Sequence, residues 1–137
     1  MNSAEKAAFK FIQYKISKFS FDEESDGGGE LDVKFDVSGK YVNDKTTYEL
    51  YIQILVLEGK RQIVNATMIS YFKFDPNTAL KDLPGYFYKN AIAISFPFLR
   101  AFISTLTLQT NSKPLMLPIM NLSNLEKPLI DNTTEVN

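Results

Sequence analysis

The sequence predicts an α+β domain, with a four-stranded antiparallel sheet followed by a long helix packed on it. Three observations predict this class. Apolar and polar residues alternate with a period of two through much of the first half, as half-buried strands require. After Asp75-Pro76-Asn77-Thr78 the apolar period lengthens to that of a helix. The length, 137 residues, is one domain's worth of chain and leaves no room for a second core.

Composition narrows the chemistry. With 45% apolar residues, eleven Phe and seven Tyr, the chain can build an ordered core, which excludes disorder of the whole. Fifteen Lys and Arg against sixteen Asp and Glu give a net charge of -1, so no basic field exists to hold nucleic acid or an anionic membrane. The chain has no His and no Cys, which removes Ser-His and Cys-His nucleophiles, zinc sites and disulfides together. The acids of Asp22-Glu23-Glu24 lie in a hydrated stretch where no burial separates their pKa values, and Gly27-Gly28-Gly29 lacks the Lys-Ser/Thr of a phosphate loop. The reading is a protein that is not an enzyme and carries no cofactor or metal.

Taken in order, the first strand has a phase change. Ile12, Tyr14 and Ile16 share one face while Phe19 and Phe21 fall on the other, so the alternation slips near Ser17-Lys18 and implies a bulge or a change of partner sheet. Residues 22–30 combine repelling acids with three glycines and read as a mobile, solvated loop. In Leu31 to Ser38, Leu31, Val33, Phe35 and Val37 take one face and Asp32, Lys34, Asp36 and Ser38 the other, the pattern of a half-exposed antiparallel strand. From Tyr48 to Leu57 both faces are apolar, which predicts a central strand. Asn43-Asp44-Lys45 and Glu58-Gly59-Lys60 are hairpin-length connections on either side of it, and Gln62 to Phe74 is the fourth strand.

Ile92, Phe96, Leu99, Ile103 and Leu106 recur at spacings of four, three, four and three, one stripe of a helix, with Phe98 and Phe102 as a second ridge beside it. A sheet needs one apolar stripe to cover it, so the second is expected to bury against another chain. Pro97 sits near a helix start or marks a kink, and Pro84-Gly85 breaks the segment before it. Beyond, Pro114, Pro118 and Pro128 predict an extended connection and at most a short, weak helix. The N-terminal residues, with Glu5, Lys6 and Lys10, do not read as a signal peptide, and no window reads as long and apolar enough to span a bilayer. A cytoplasmic protein without membrane insertion is the expectation.

The second strand's Val33-Lys34-Phe35-Asp36-Val37 and, after the fourth strand, the helix run Phe96-Pro97-Phe98-Leu99-Arg100-Ala101-Phe102-Ile103 and the later Leu115, Leu117, Asn121 and Leu122 occur in this order. In this the chain resembles the SecB protein-export chaperones, from about residue 9 to residue 122. The resemblance implies one SecB-like domain over 1–137, with a core at about 9–122 and a tail at 123–137. It also implies assembly as a homotetramer, a dimer of dimers, that holds unfolded client polypeptides in apolar grooves without ATP.

On this sequence the implied client-binding positions are Phe19, Phe21, Leu31, Val33, Phe35, Val37, Leu115, Met116 and Leu117. Aromatic and Met surfaces accept many side-chain shapes, which suits such a role. The two helix ridges, Ile92, Phe96, Phe98, Leu99, Phe102, Ile103 and Leu106, are the expected oligomer interface. Two departures qualify the resemblance. Family members that hand clients to the SecA motor use acids on the sheet face, where this chain has Lys18, Asp22 and Asn65 and so one acid, which makes weak or absent coupling to SecA the expectation; the clients are then unfolded chains for export or a dedicated client such as an antitoxin. Pro128 falls where the family has a second helix. The alternatives from other classes are a carrier of a small hydrophobic ligand such as a lipid, and an oligomeric scaffold that binds no client.

Overall fold

The computed structural model describes residues 8–22, 30–110, 115–117 and 121–137. The strands are β1 (Phe9–Phe21), β2 (Leu31–Val42), β3 (Thr47–Glu58), β4 (Arg61–Phe74) and β5 (Thr133–Val136); the helices are α1 (Tyr86–Gln109) and α2 (Glu126–Asp131). The mobile acidic loop expected at 22–30 falls mostly outside the described residues.

The sheet has five strands in the order β1-β4-β3-β2-β5, one more than the alternation predicts. Strands β1 to β4 pair antiparallel, and β5 lies parallel to β2 along Gly39 to Val42. Thr133-Thr134-Glu135-Val136 is too short and too polar for a readable period, so its strand state comes from a neighbour's edge. The doubly apolar β3 is the middle strand, as its pattern predicts. Gly59, at φ 62, makes the tight turn from β3 to β4 in a region that glycine enters without a Cβ penalty.

The phase slip in β1 is a bulge between Ile16 and Lys18 that brings Phe19 and Phe21 back to the face of Tyr14 and Ile16. A second bulge, between Phe11 and Gln13, does the same for Phe9 and Phe11. One face of the sheet is thereby laid out in rows across the strands. Phe21, Val64, Val56 and Val33 form one; Phe19, Ala66, Ile54 and Phe35 the next; Ile16, Met68, Ile52 and Val37 the third. The middle members of these rows are buried under α1.

Helix α1 lays Ala91, Ile92, Ser95, Phe96, Leu99, Ile103 and Thr107 on that face. Near its start, Phe87 meets Tyr48, Phe72 and Phe74 edge-on with ring centroids 4.9–5.5 Å apart. Pro97 lies in mid-helix, where it removes the bond to the Ala93 carbonyl; both residues are on the exposed side, so water can satisfy that oxygen. At 24 residues α1 is long and apolar enough by composition to cross a membrane, contrary to the reading from sequence. Of its apolar 18-residue window 39% is buried, the share that lies on the sheet as core.

The C-terminal segment, expected as a tail beyond the core, closes it. Leu129 on α2 is fully buried, and α2 packs against both β2 and α1. Pro128 is tolerated because it sits in the first turn of α2, where a backbone N–H has no intrahelical partner to lose.

Candidate functional site

The residues singled out for client binding lie on both sides of α1. Phe19 and Phe21 are on the β1 edge and Val33 and Phe35 on β2, at opposite ends of the same rows and about 14 Å apart by strand spacing. The helix occupies the space between. Phe102 packs edge-on against Phe19 at 5.1 Å, and Phe96 against Phe35 at 5.5 Å. The chain returns from the end of α1 through Leu115, whose N–H donates to Thr107 Oγ1 at 2.8 Å, and Ser104 Oγ donates to Met116 Sδ at 3.0 Å.

Exposure divides these positions. Leu31 and Met116 are open, at 45% and 65%. Phe19, Phe21, Val33, Phe35 and Leu115 are half-buried against the core. Val37 and Leu117, each 2% exposed, are closed core and offer nothing to a ligand in this conformation. Period-two patterning could not make that distinction, because it assigns a face and not what covers the face at each row.

The oligomer-interface set needs a similar correction. Ile92, Phe96, Leu99 and Ile103 are 0–6% exposed within one chain and have no surface left for a partner. The ridge beside them is covered in part by β1. Phe98 stacks on Tyr14 at 4.8 Å and on Phe11 at 5.7 Å, while Phe102 meets Phe19 and Leu106 is half-buried. The apolar surface left open on this side is Phe98 (39%), Tyr14 (36%) and Ile12 (50%), with Leu108 (55%) near the helix end.

A set of contacts that the sequence reading missed fixes β5 to β2. The Gly39 N–H donates to the Asn132 carbonyl at 3.2 Å, and Asn132 Nδ2 donates to the Val37 carbonyl at 3.2 Å. Beneath Gly39 the phenol of Tyr48 reaches from β3 to Thr133 Oγ1 at 2.6 Å. A Cβ on residue 39 would lie 1.8 Å from the Tyr48 oxygen, so glycine is required for this passage. Burial pushes the Tyr48 phenol far above its ordinary value, and the hydrogen bond to Thr133 recovers part of that shift. The one signal available was a glycine inside a strand pattern, which marks a close approach without naming what approaches.

On the opposite face of the sheet lie Lys18, Asp22 and Asn65, which hold one acid among them. Asn65 accepts from Gln53 Nε2 at 3.1 Å, and Asp22 pairs with Arg61 at 2.9 Å. Lys18 is exposed. No group of three metal-ligating side chains occurs among the described residues. An open cavity of about 450 Å³ at the other end of the sheet is lined mainly by polar residues, among them Asn43, Asp44, Thr46, Lys73 and Asn77. It is not the enclosed apolar cavity that a lipid carrier needs.

Comparison with solved structures places this architecture. The SecB-like chaperone Rv1957 of Mycobacterium tuberculosis, solved with a ChAD peptide from the Rv1956 HigA1 antitoxin, superposes with a TM-score of 0.66 over 87% of this chain and 94% of that one. The fold is SecB-like. Sequence identity in that pair is 12%. A protein of unknown function from Streptococcus agalactiae aligns at a TM-score of 0.47 with 8% identity, over 82% of this chain and 98% of that one. Among curated sequences, the uncharacterized protein MJ0357 of Methanocaldococcus jannaschii is 28% identical over 147 aligned positions, covering 97% of this chain and 94% of that protein. No family model matches the chain.

Proposed function

We propose that this SecB-like protein is a non-enzymatic, ATP-independent chaperone that holds extended, non-native polypeptide against β2 and the Leu115–Leu117 connection. The observation that carries the reading is the grading of exposure along β2. Leu31 is open and Val33 and Phe35 half-buried on one apolar face, and exposed Met116 follows the helix whose Phe96 supports Phe35. Such a strip gains hydrophobic contact from many sequences without demanding one shape. A SecB-like chaperone of the same fold bound to an antitoxin peptide supports a dedicated client over general export. The scarcity of free acids around Lys18, Asn65 and the paired Asp22 favours a role uncoupled from SecA.

A soluble homo-oligomer fits the open Phe98, Tyr14 and Ile12 cluster, which a second copy would cover. The test of the chaperone reading is light scattering by an aggregating, chemically unfolded client. Stoichiometric protein should suppress the rise in scattering without ATP, and an unchanged rise refutes the reading. Native mass spectrometry of the purified protein checks the carrier alternative, since a retained lipid would favour that reading instead.

A further inference from the structure

We infer that β5 is a displaceable stand-in for a client strand, so that the chain's own C-terminus competes with an extended polypeptide for the outer edge of β2. This rests on the chaperone reading and adds to it where the client's backbone binds and what regulates access. The argument starts from strand parity. In β2 the N–H of Gly39 and the C=O of Val37 point away from β3, because both are taken by Asn132 on the outer side. Backbone groups alternate in direction along a strand, so those of Leu31, Val33 and Phe35 point outward too. None of these three has an outward backbone partner among the described residues, whereas Gly39 to Val42 are covered by β5. One edge is therefore half open and half occupied, and its occupant is a parallel strand.

That occupant is a short edge strand. β5 is four residues long and pairs on one side only, and three of its residues are exposed. Beside the Asn132 bonds at its start, it is anchored by Thr133, which meets Tyr48 at 2.6 Å and donates to the Leu129 carbonyl at 2.7 Å. An extended segment on the open part of the edge could pair with Leu31 to Asp36, about 20 Å of strand. A longer segment must remove β5 to continue. The favoured client is extended and alternately apolar, one side-chain row lying beside Val33 and Phe35 and the other beside Asp32, Lys34 and Asp36.

The test uses the full chain and a dye-labelled, reduced and carboxymethylated α-lactalbumin as a permanently unfolded probe. The chain has no cysteine, so Val42→Cys with Val136→Cys introduces one thiol pair at register partners, which lie close enough for a disulfide. Oxidation locks β5 in place. Locked protein should bind the probe at least about five-fold more weakly than the same protein reduced, since the competent fraction of edge falls. Thr133→Ala, which loosens the anchor, should bind at least as tightly as the unmodified protein, and probe binding should slow hydrogen exchange at the Leu31, Val33 and Phe35 amides. If the probe binds but affinity is the same locked and reduced, and those amides stay unprotected, this inference fails and the chaperone reading stands. If no form binds the probe, both fail together.

Discussion

Gly39→Ala tests whether the Tyr48 passage holds the C-terminal strand. The added methyl would sit 1.8 Å from the Tyr48 oxygen, 2.3 Å from its Cζ and 2.9 Å from Thr133 Oγ1. Tyr48 is fully buried and ringed by Phe87 and Tyr88, so it cannot swing away freely. Overpacking of this kind costs about 1–3 kcal/mol, and parting a buried hydroxyl from its partner about 1–3 kcal/mol more. The lower backbone entropy of alanine in the unfolded chain returns about 0.5–1 kcal/mol. The expected net loss is therefore about 1–5 kcal/mol, read from urea unfolding with an unchanged slope. A double-mutant cycle sharpens the test: Thr133→Ala should cost less in the Gly39→Ala background than in the parent, because the bond is already broken. A loss below about 1 kcal/mol for Gly39→Ala, or additive costs in the cycle, would refute the account of this contact.

The remaining predictions address the site, the surface, the core and pH. Phe35→Ser should weaken binding of an unfolded client while lowering stability by about 1–3 kcal/mol, less than for a fully buried aromatic because Phe35 is half-exposed at the sheet edge; titration calorimetry and urea unfolding read the two effects. Phe98→Asp should shift the sedimentation coefficient toward the monomer and leave the circular dichroism of the fold intact, since the ring is 39% exposed in a single chain. Ser95→Ala should raise stability by about 1 kcal/mol, because the hydroxyl is buried on α1 with no partner among the described residues. Burial raises the phenol pKa of Tyr41, Tyr48 and Tyr88, and that of Tyr51 to about 12, with the Glu49 hydrogen bond adding to burial at Tyr51. Unfolded tyrosines ionise near pH 10, so stability should be full below that and fall as pH rises past it, by about 1.4 kcal/mol per pH unit for buried Tyr48. A pH-independent urea midpoint between pH 9 and 11.5 would contradict this.

The alternation in Leu31–Val37, the doubly apolar Tyr48–Leu57 and the three-four spacing from Ile92 to Leu106 determined strand, centre and helix without help. Each pattern repeats over enough residues that burial of one face leaves a single solution. The slip at Ser17-Lys18 was legible as a bulge or a change of partner sheet, and the register of β1 on β4 makes it a bulge. The second bulge was not, because Phe9 and Phe11 are only two positions of phase. Tertiary structure alone decided which apolar residues are closed and which are open. Val37 and Phe35 share one pattern, yet Val37 is buried while Phe35 lies nearer the uncovered end of the edge. The helix ridges were equally ambiguous, since Phe98 and Phe102 could not announce that β1 would supply the aromatic rings they stack on. The fifth strand was the least visible element. Thr133 to Val136 carry no period, and what makes them a strand is an edge of β2 reached through Gly39 by a tyrosine 85 residues away in sequence. Local periodicity encodes which face a residue takes, whereas coverage of that face depends on segments distant in the chain, and only the folded arrangement contains that information.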